Sequence, residues 1–182
     1  MHEPVKWICR FQIDKYDADI DSYRSALGDE EGRERFFREH RPVEVIAREG
    51  NLLMTNGANS LWTALTGGTI TAFSNANAAI GVGDSATASA AAQTNLQAST
   101  NAVRQGMATG YPTVSGNQVT FQAVFGGSTG NYAWNEWGVF NSLGSGTPPS
   151  GGTMLNRAVP SGGLGTKASG STWTLTVTLS LS

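Results

Sequence analysis

The stretch that decides the fold is Tyr132-Ala133-Trp134-Asn135-Glu136-Trp137-Gly138-Val139-Phe140. It contains two of the five tryptophans, Trp134 and Trp137, and one of the only two acidic residues beyond position 50. In an extended strand, successive side chains point to opposite faces. Here both faces carry large apolar groups, a pattern typical of a strand that is buried on two sides. We therefore predict that this stretch is a central core strand.

Glu136 shares its face of the predicted strand with aromatic side chains. An isolated buried charge costs several kcal/mol or more, so this carboxylate must be paired, hydrogen-bonded or protonated. The candidate partners are Arg157 and Arg104. Because Arg157 follows the strand after one loop, an antiparallel hairpin would bring it close. We favour a structural contact of Arg157 with Glu136 or an aromatic ring over a ligand-binding role.

Charged residues are distributed unevenly along the 182 residues. Residues 1–50 hold nine of the twelve Lys and Arg residues and twelve of the fourteen Asp and Glu residues. The rest of the chain holds only Arg104, Arg157, Lys167, Asp84 and Glu136. A body with so few charges lacks the usual source of colloidal solubility. It suits a protein that packs among copies of itself or on a larger particle.

The composition also disfavours several classes of protein. The chain has no basic stripe, so we expect no nucleic-acid binding. No apolar run approaches the ~20 residues of a membrane span. Residues 1–4 do not begin a secretory signal, which would need a basic region followed by an apolar core, so we expect synthesis in the cytoplasm. Cys9 is the only cysteine, which excludes an intrachain disulfide or a cysteine-rich zinc site.

Alternating apolar and polar residues predict further strands. We expect strands at Val5–Ile13 and at residues 42–49, 78–83, 118–125 and 153–159. The C-terminal strand has the clearest pattern, with one apolar face and one face of hydroxyl groups. Its apolar face consists of Trp173, Leu175, Val177, Leu179 and Leu181. Seven or eight strands with short turns predict a mainly β fold, an antiparallel β-sandwich of jelly-roll type with one or two covering helices.

Two segments in the first half of the body have less regular patterns. Residues 56–66 place Leu61, Trp62 and Leu65 on one helical face, which predicts an amphipathic helix that covers a sheet. Residues 85–101 are low in complexity. They fit either a long ordered loop or a short helix around residues 90–96.

The charged N-terminal part is predicted to have a role of its own. Residues 14–21 are a turn-rich connection, and residues 29–40 are helical in composition. This helix could be merely solvated, or it could dock on a partner. We interpret residues 1–41 as a charged strand-and-helix attachment region and residues 42–182 as the sandwich body. In the alternative, the first strand belongs to the sandwich while residues 14–40 dock. The predicted particle contact consists of Arg33, Arg35, Phe36, Phe37 and Arg38.

The sequence contains no convincing catalytic set. The two histidines, His2 and His40, both lie in the N-terminal part, so the body has no histidine for a triad or a metal site. Asp84 and Glu136 both have structural explanations, whereas a glycosidase needs two carboxylates that flank a cleft. Residues 80–84 resemble a phosphate-binding loop but lack its third glycine and its lysine. We predict no catalytic residues, no cofactor, no metal and no enzymatic activity.

Four strings in the body resemble a family of tailed-bacteriophage virion proteins. The strings are residues 50–53, residues 75–85, residues 134–140, and the segment from Leu155-Asn156-Arg157 through Leu164-Gly165-Thr166-Lys167. Members of this family are labelled structural, tail-fibre-like or capsid-decorating proteins. The resemblance covers roughly residues 42–182. It implies a non-enzymatic part of a phage particle, located in the virion after synthesis in the host cytoplasm.

Three classes of particle protein are then open. A capsid decoration (cement) protein would bind the major capsid protein or other virion proteins and stabilise the shell. A tail, fibre or baseplate adaptor could also bind a receptor. A particle-bound glycan hydrolase is disfavoured by the missing histidines and scarce carboxylates. Fibres usually show heptads or repeats, which this chain lacks. We therefore favour a decoration protein that assembles as a homotrimer, with no membrane or nucleic-acid partner.

Overall fold

A computed structural model describes residues 6–181 of the chain. Within that range the chain forms ten strands and three helices. In chain order they are β1 Trp7–Tyr16, α1 Ile20–Leu27, α2 Asp29–Glu39, β2 Glu44–Glu49, β3 Leu52–Leu53, α3 Thr55–Leu65, β4 Ala79–Gly83, β5 Ala102–Gly106, β6 Thr113–Ser115, β7 Gln118–Phe125, β8 Glu136–Phe140, β9 Met154–Ala158 and β10 Thr172–Leu181.

The strands form two five-stranded antiparallel sheets. The first has the order β2-β1-β10-β7-β6, and the second has the order β3-β9-β8-β4-β5. The apolar faces of the two sheets contribute to one continuous core, as expected of a sandwich. The predicted mainly β, antiparallel architecture is confirmed, with ten strands in place of the expected seven or eight.

The tryptophan stretch supplies β8, the middle strand of the second sheet, and all five residues of β8 are buried. Trp137 points toward the first sheet, where its ring lies 5.0 Å from that of Phe11. The strand begins at Glu136 and not at Tyr132 as predicted. The preceding main chain turns aside because Trp134 exchanges hydrogen bonds with Leu164 and Gly165 in a distant loop.

The N-terminal strand is an integral part of the first sheet. β1 lies between β2 and β10, and it pairs with β10 from Trp7 to Tyr16. Phe11 and Ile13 are buried in the shared core. The predicted start of this strand, Val5, lies outside the described residues. A boundary at residue 41 cuts through the sandwich, because residues 42–182 alone lack the strand that joins β2 to β10.

The charged segment after β1 forms two helices where one was expected. Asp19 caps α1 by accepting a hydrogen bond from the main-chain N–H of Asp21. Gly28, with a φ of 87°, ends α1 and begins α2. Both helices pack on the outer face of the first sheet through a small apolar cluster, which includes Tyr16, Ile20, Phe36, Ala108 and Val124.

Helix α3 has nearly the predicted bounds, but the side that it turns toward the sheet is not the predicted one. Its buried residues are Gly57 and Ser60, and a Cβ on Gly57 would overlap the main chain of Leu155 on β9. Leu61, Trp62 and Leu65 are 40%, 65% and 75% exposed. The prediction that these three side chains cover a sheet is wrong. The helix approaches β9 through its small residues, so its large apolar residues face away.

Candidate functional site

Glu136 and Arg157 form a fully buried ion pair on the outer face of the second sheet. Arg157 Nη2 and Nε lie 2.6 Å and 2.7 Å from Glu136 Oε2, and neither side chain is exposed. Strands β8 and β9 are neighbours, and Arg157 lies opposite Gly138 in their register. Because a glycine has no side chain, the guanidinium can lie across the strand toward the carboxylate. Of the two predicted partners, Arg157 is therefore the one that pairs with Glu136.

The ion pair also holds the loop of residues 84–101 against the sheet. The Glu136 carboxylate accepts hydrogen bonds of 2.7–3.0 Å from the main-chain N–H groups of Gln97 and Ala98. The Arg157 guanidinium donates to the Thr87 carbonyl and to the Gln93 side chain, at 2.9 Å and 2.8 Å. Glu136 thus fixes the second half of the loop, and Arg157 fixes the first half. The loop contains no helix, so the ordered-loop alternative is the one observed.

Two glycines of β4 make room beside this pair. A Cβ on Gly83 would lie 2.6 Å from Glu136 Oε1, and a Cβ on Gly81 would lie 2.9 Å from the Phe140 ring. Because alternate residues of a strand share a face, both glycines lie on the side that carries the carboxylate. The Gly-x-Gly pattern of residues 81–83 is therefore explained by close packing.

Arg104 lies outside the ion pair, so the suggestion that it could pair with Glu136 is wrong. Its guanidinium stacks on the Phe140 ring at 3.6 Å from the centroid. It also donates hydrogen bonds to the carbonyls of Ser142 and Gly151. Burial lowers the pKa of Arg104 to about 10. The role of Arg104 is to hold the loop of residues 141–152 against the second sheet.

Trp134 and Trp137 are core residues with no exposed surface. The Trp134 ring makes edge-on contacts with Phe125 and Trp173, at centroid distances of 4.7 Å and 4.8 Å. Its Nε1 donates to the carbonyl of Gly130 at 2.8 Å. Such aromatic contacts add to the free energy that area burial alone provides. Both tryptophans are therefore structural, as the sequence interpretation proposed for this cluster.

Sequence reasoning missed the buried Lys167, which is 1% exposed. Its ammonium group donates to the carbonyl of Gly126 at 2.7 Å and to Asn131 Oδ1 at 2.8 Å. Burial lowers the pKa of Lys167 to about 8, and the charges of Asp19 and Asp21 oppose that shift. A lone lysine in a glycine-rich loop gives no sequence signal of burial. Only the tertiary structure shows that it joins two loops.

The two phenylalanines of the predicted particle contact anchor α2 to its own molecule. Phe36 is fully buried and lies 5.4 Å from the Tyr16 ring. Phe37 is half-buried, with its ring 5.5 Å from that of Tyr16. Phe36 therefore cannot contact a particle, and its inclusion in the predicted contact is wrong. A short charged helix needs an apolar anchor, and Phe36 is that anchor.

The three arginines of the predicted contact differ in exposure. Arg35 and Arg38 are exposed, and Arg35 pairs with Glu39 one turn later at 2.7 Å. Arg33 is half-buried and lines a small cleft of about 160 Å³ together with Arg24. The exposed face of α2 therefore presents Arg35 and Arg38 to solvent.

Four of the five charged side chains beyond residue 50 are buried. Arg104, Glu136, Arg157 and Lys167 expose between 0% and 6% of their surface. Asp84 alone remains partly exposed, and it accepts a hydrogen bond from Asn101. The surface formed by residues 51–181 is therefore almost free of charge.

Three exposed apolar side chains meet at one end of the sandwich. Leu61 of α3, Val114 of β6 and Leu181 of β10 line a groove of about 470 Å³. On α3, Trp62 directly follows Leu61 and Leu65 lies about one turn further on, and both are more exposed than Leu61. We call these five residues the apolar end face. No charged residue lines the groove in the described part of the chain.

Between residues 6 and 181, no three His, Cys, Asp or Glu side chains gather where they could hold a metal ion. No helix in that range has the length and apolarity needed to cross a membrane. Comparison of the chain with protein-family models, curated proteins and solved structures finds no match.

Proposed function

We propose that this chain is a non-enzymatic structural component of a tailed-phage particle, a capsid decoration protein that binds the shell and stabilises it. The observation that carries the proposal is the nearly uncharged surface of residues 51–181. Such a surface can be covered by neighbouring subunits without the cost of desolvating charges. The virion-protein resemblance of residues 42–182 supports the same conclusion.

The buried charges support a structural role. Glu136 accepts hydrogen bonds from Arg157 and from two loop N–H groups, and it has no exposed surface. Arg104 and Lys167 donate to main-chain carbonyls of the chain itself. Buried charged side chains that bond to their own main chain in this way stabilise loop conformations.

The shell contact in this proposal includes the exposed face of α2. Arg35 and Arg38 are solvent-accessible there, next to acidic residues in the first turn of the helix. Charged groups at the rim of an interface determine orientation and association rate more than net affinity. The proposed partner of this face is the major capsid protein.

The test is binding of the purified protein to empty shells of the phage whose genome encodes it, measured by co-sedimentation at several salt concentrations. The double variant Arg35→Ser/Arg38→Ser should bind about tenfold more weakly and with a smaller salt dependence, because rim charges are screened by salt. Arg10→Ser is the matched control, because Arg10 is an exposed arginine on β1 in an exposed ion pair.

Two results would contradict parts of the proposal. If the wild-type protein does not bind shells at any salt concentration, the decoration function is wrong. If the α2 double variant binds as tightly as the Arg10→Ser control, the shell contact lies on another face.

A further inference from the structure

The apolar end face is left uncovered by the residues that the structure describes. Its five side chains are 40% to 80% exposed. Helix α3 is already held against β9 through Gly57, so Leu61, Trp62 and Leu65 are not needed to fix it. A surface helix of a monomeric protein normally turns its apolar side to the core. We propose that a second copy of this chain covers the apolar end face.

The size of the face indicates a protein partner. Five apolar side chains at these exposures present on the order of 600 Å², which is at the upper limit for the largest patch of a typical monomer. Each partner in a standard protein interface buries roughly 800 Å². Polar residues at the rim of the groove, such as Asn117 and Gln118, can supply the remainder. The face is therefore large enough for one side of a specific interface.

The charge pattern favours an identical copy as that partner. No charged side chain lines the groove, and the surrounding surface of residues 51–181 exposes only Asp84 in part. Two identical faces of this kind can meet without repulsion between like charges. A partner that relied on charge for recognition would find no opposite charge among the described residues that line the groove.

The apolar end face contains both exposed side chains on a helix and a groove that could receive such side chains. Trp62 and Leu65 project from α3, whereas Leu61, Val114 and Leu181 border the groove next to them. A helix that inserts apolar residues spaced three or four apart into such a groove is a common mode of recognition. The projecting residues of one copy can fill the groove of another, across a two-fold axis or around a closed ring. A three-fold ring would give the predicted trimer. Only the choice of a trimer rests on the proposed function.

The test is sedimentation velocity of the full-length chain alone, at concentrations from about 1 to 100 μM. The wild-type protein should form a defined dimer or trimer. The double variant Trp62→Ser/Leu65→Ser should remain monomeric, with self-association weakened at least about 100-fold, because exposed aromatic and leucine anchors carry most of the affinity of such interfaces. Val114→Arg, on the other side of the groove, should have the same effect.

Leu143→Ser is the matched control, since Leu143 is 53% exposed and lies outside the groove. This variant should associate like the wild type. If the wild-type protein is monomeric at all concentrations from about 1 to 100 μM, the inference is wrong. This holds even if a different protein covers the face. The inference is also wrong if oligomers persist in both Trp62→Ser/Leu65→Ser and Val114→Arg. This experiment contains no shells. A failure to self-associate is therefore a separate result from a failure to bind shells.

Discussion

At the residue scale, Glu136 and Arg157 connect the sequence to the architecture. A buried ion pair offsets its desolvation only when its remaining hydrogen-bonding positions are filled. Here the main chain of the loop at residues 84–101 and its Gln93 side chain fill them. The pair therefore determines where that loop lies on the second sheet.

We predict that Glu136→Ala lowers the free energy of unfolding by about 3–5 kcal/mol, because it leaves the Arg157 charge buried without a partner. Glu136→Gln should cost less, since an amide oxygen can still accept some of the hydrogen bonds. Urea unfolding monitored by tryptophan fluorescence measures both values. Asp84→Asn, at a partly exposed carboxylate, is the control and should change stability by only about 0.5 kcal/mol.

A double-mutant cycle makes this prediction more specific. Glu136→Met/Arg157→Met removes both charges, so it should be less destabilising than the sum of the two single changes. Equal stability of Glu136→Ala and the wild type would show that the ion pair does not hold the structure.

The thiol of Cys9 gives a prediction about pH. Burial raises its pKa from 9.0 to about 12, because the thiolate is disfavoured in the core. Between these two pH values the folded state therefore keeps a proton that the unfolded chain loses. The contribution of the buried thiol to the free energy of unfolding is complete below pH 9 and is lost as the pH rises toward 12. Relative to Cys9→Ala, the free energy of unfolding of the wild type should fall by about 1.4 kcal/mol per pH unit in that range.

Urea unfolding of both proteins at pH 7.5 and pH 10 measures this difference. Parallel pH dependence of the two proteins would show that the Cys9 thiol titrates normally in the folded state.

At the element scale, helices α1 and α2 form an insertion between the paired strands β1 and β2. Lys15 on β1 lies opposite Glu44 on β2 in the sheet register. The chain ends that flank residues 17–40 are therefore adjacent, and a short Gly/Ser linker can join them.

We predict that deletion of residues 17–40 with such a linker leaves a folded, soluble protein that binds shells much more weakly. Its stability should also fall, because Tyr16 and Val124 lose the cover of Phe36. Circular dichroism and thermal unfolding check the fold, and shell co-sedimentation checks the binding. Undiminished shell binding by the deleted form would mean that the uncharged body makes the contact.

The sequence predicted the bounds of two strands and two helices well, since α2 and α3 agree to within one residue, but it did not predict β3, β5 or β6. Strands β7 and β10 follow a strict period of two, so their bounds agree with the prediction. Helix α1 was missed because Ile20 is its only buried residue. The orientation of α3 was wrong because Gly57, which carries no apolar signal, decides which side meets β9.

The same limit applies to the candidate site. Glu136 could be identified because a lone carboxylate among aromatic residues must be satisfied. Its partners in the loop could not be identified, because they are the main-chain N–H groups of Gln97 and Ala98, which leave no mark in the sequence. The burial of Lys167 likewise depends on a carbonyl, that of Gly126.

At the scale of the whole molecule, two kinds of surface lie at opposite ends of the sandwich. Trp7, at the start of β1, lines the groove of the apolar end face, and Tyr16, at its other end, packs beneath α2. A ten-residue strand spans about 30 Å. A contact between copies at one end therefore leaves α2 free for a shell at the other end.

The most direct measurement of the central claim is the number of copies of this protein in purified phage particles, obtained by quantitative protein staining against the major capsid protein. A decoration protein that covers the shell should be present in hundreds of copies per particle. A count of about a dozen or fewer would place it in the tail and contradict the decoration function. Its absence from purified particles would contradict the structural role as a whole.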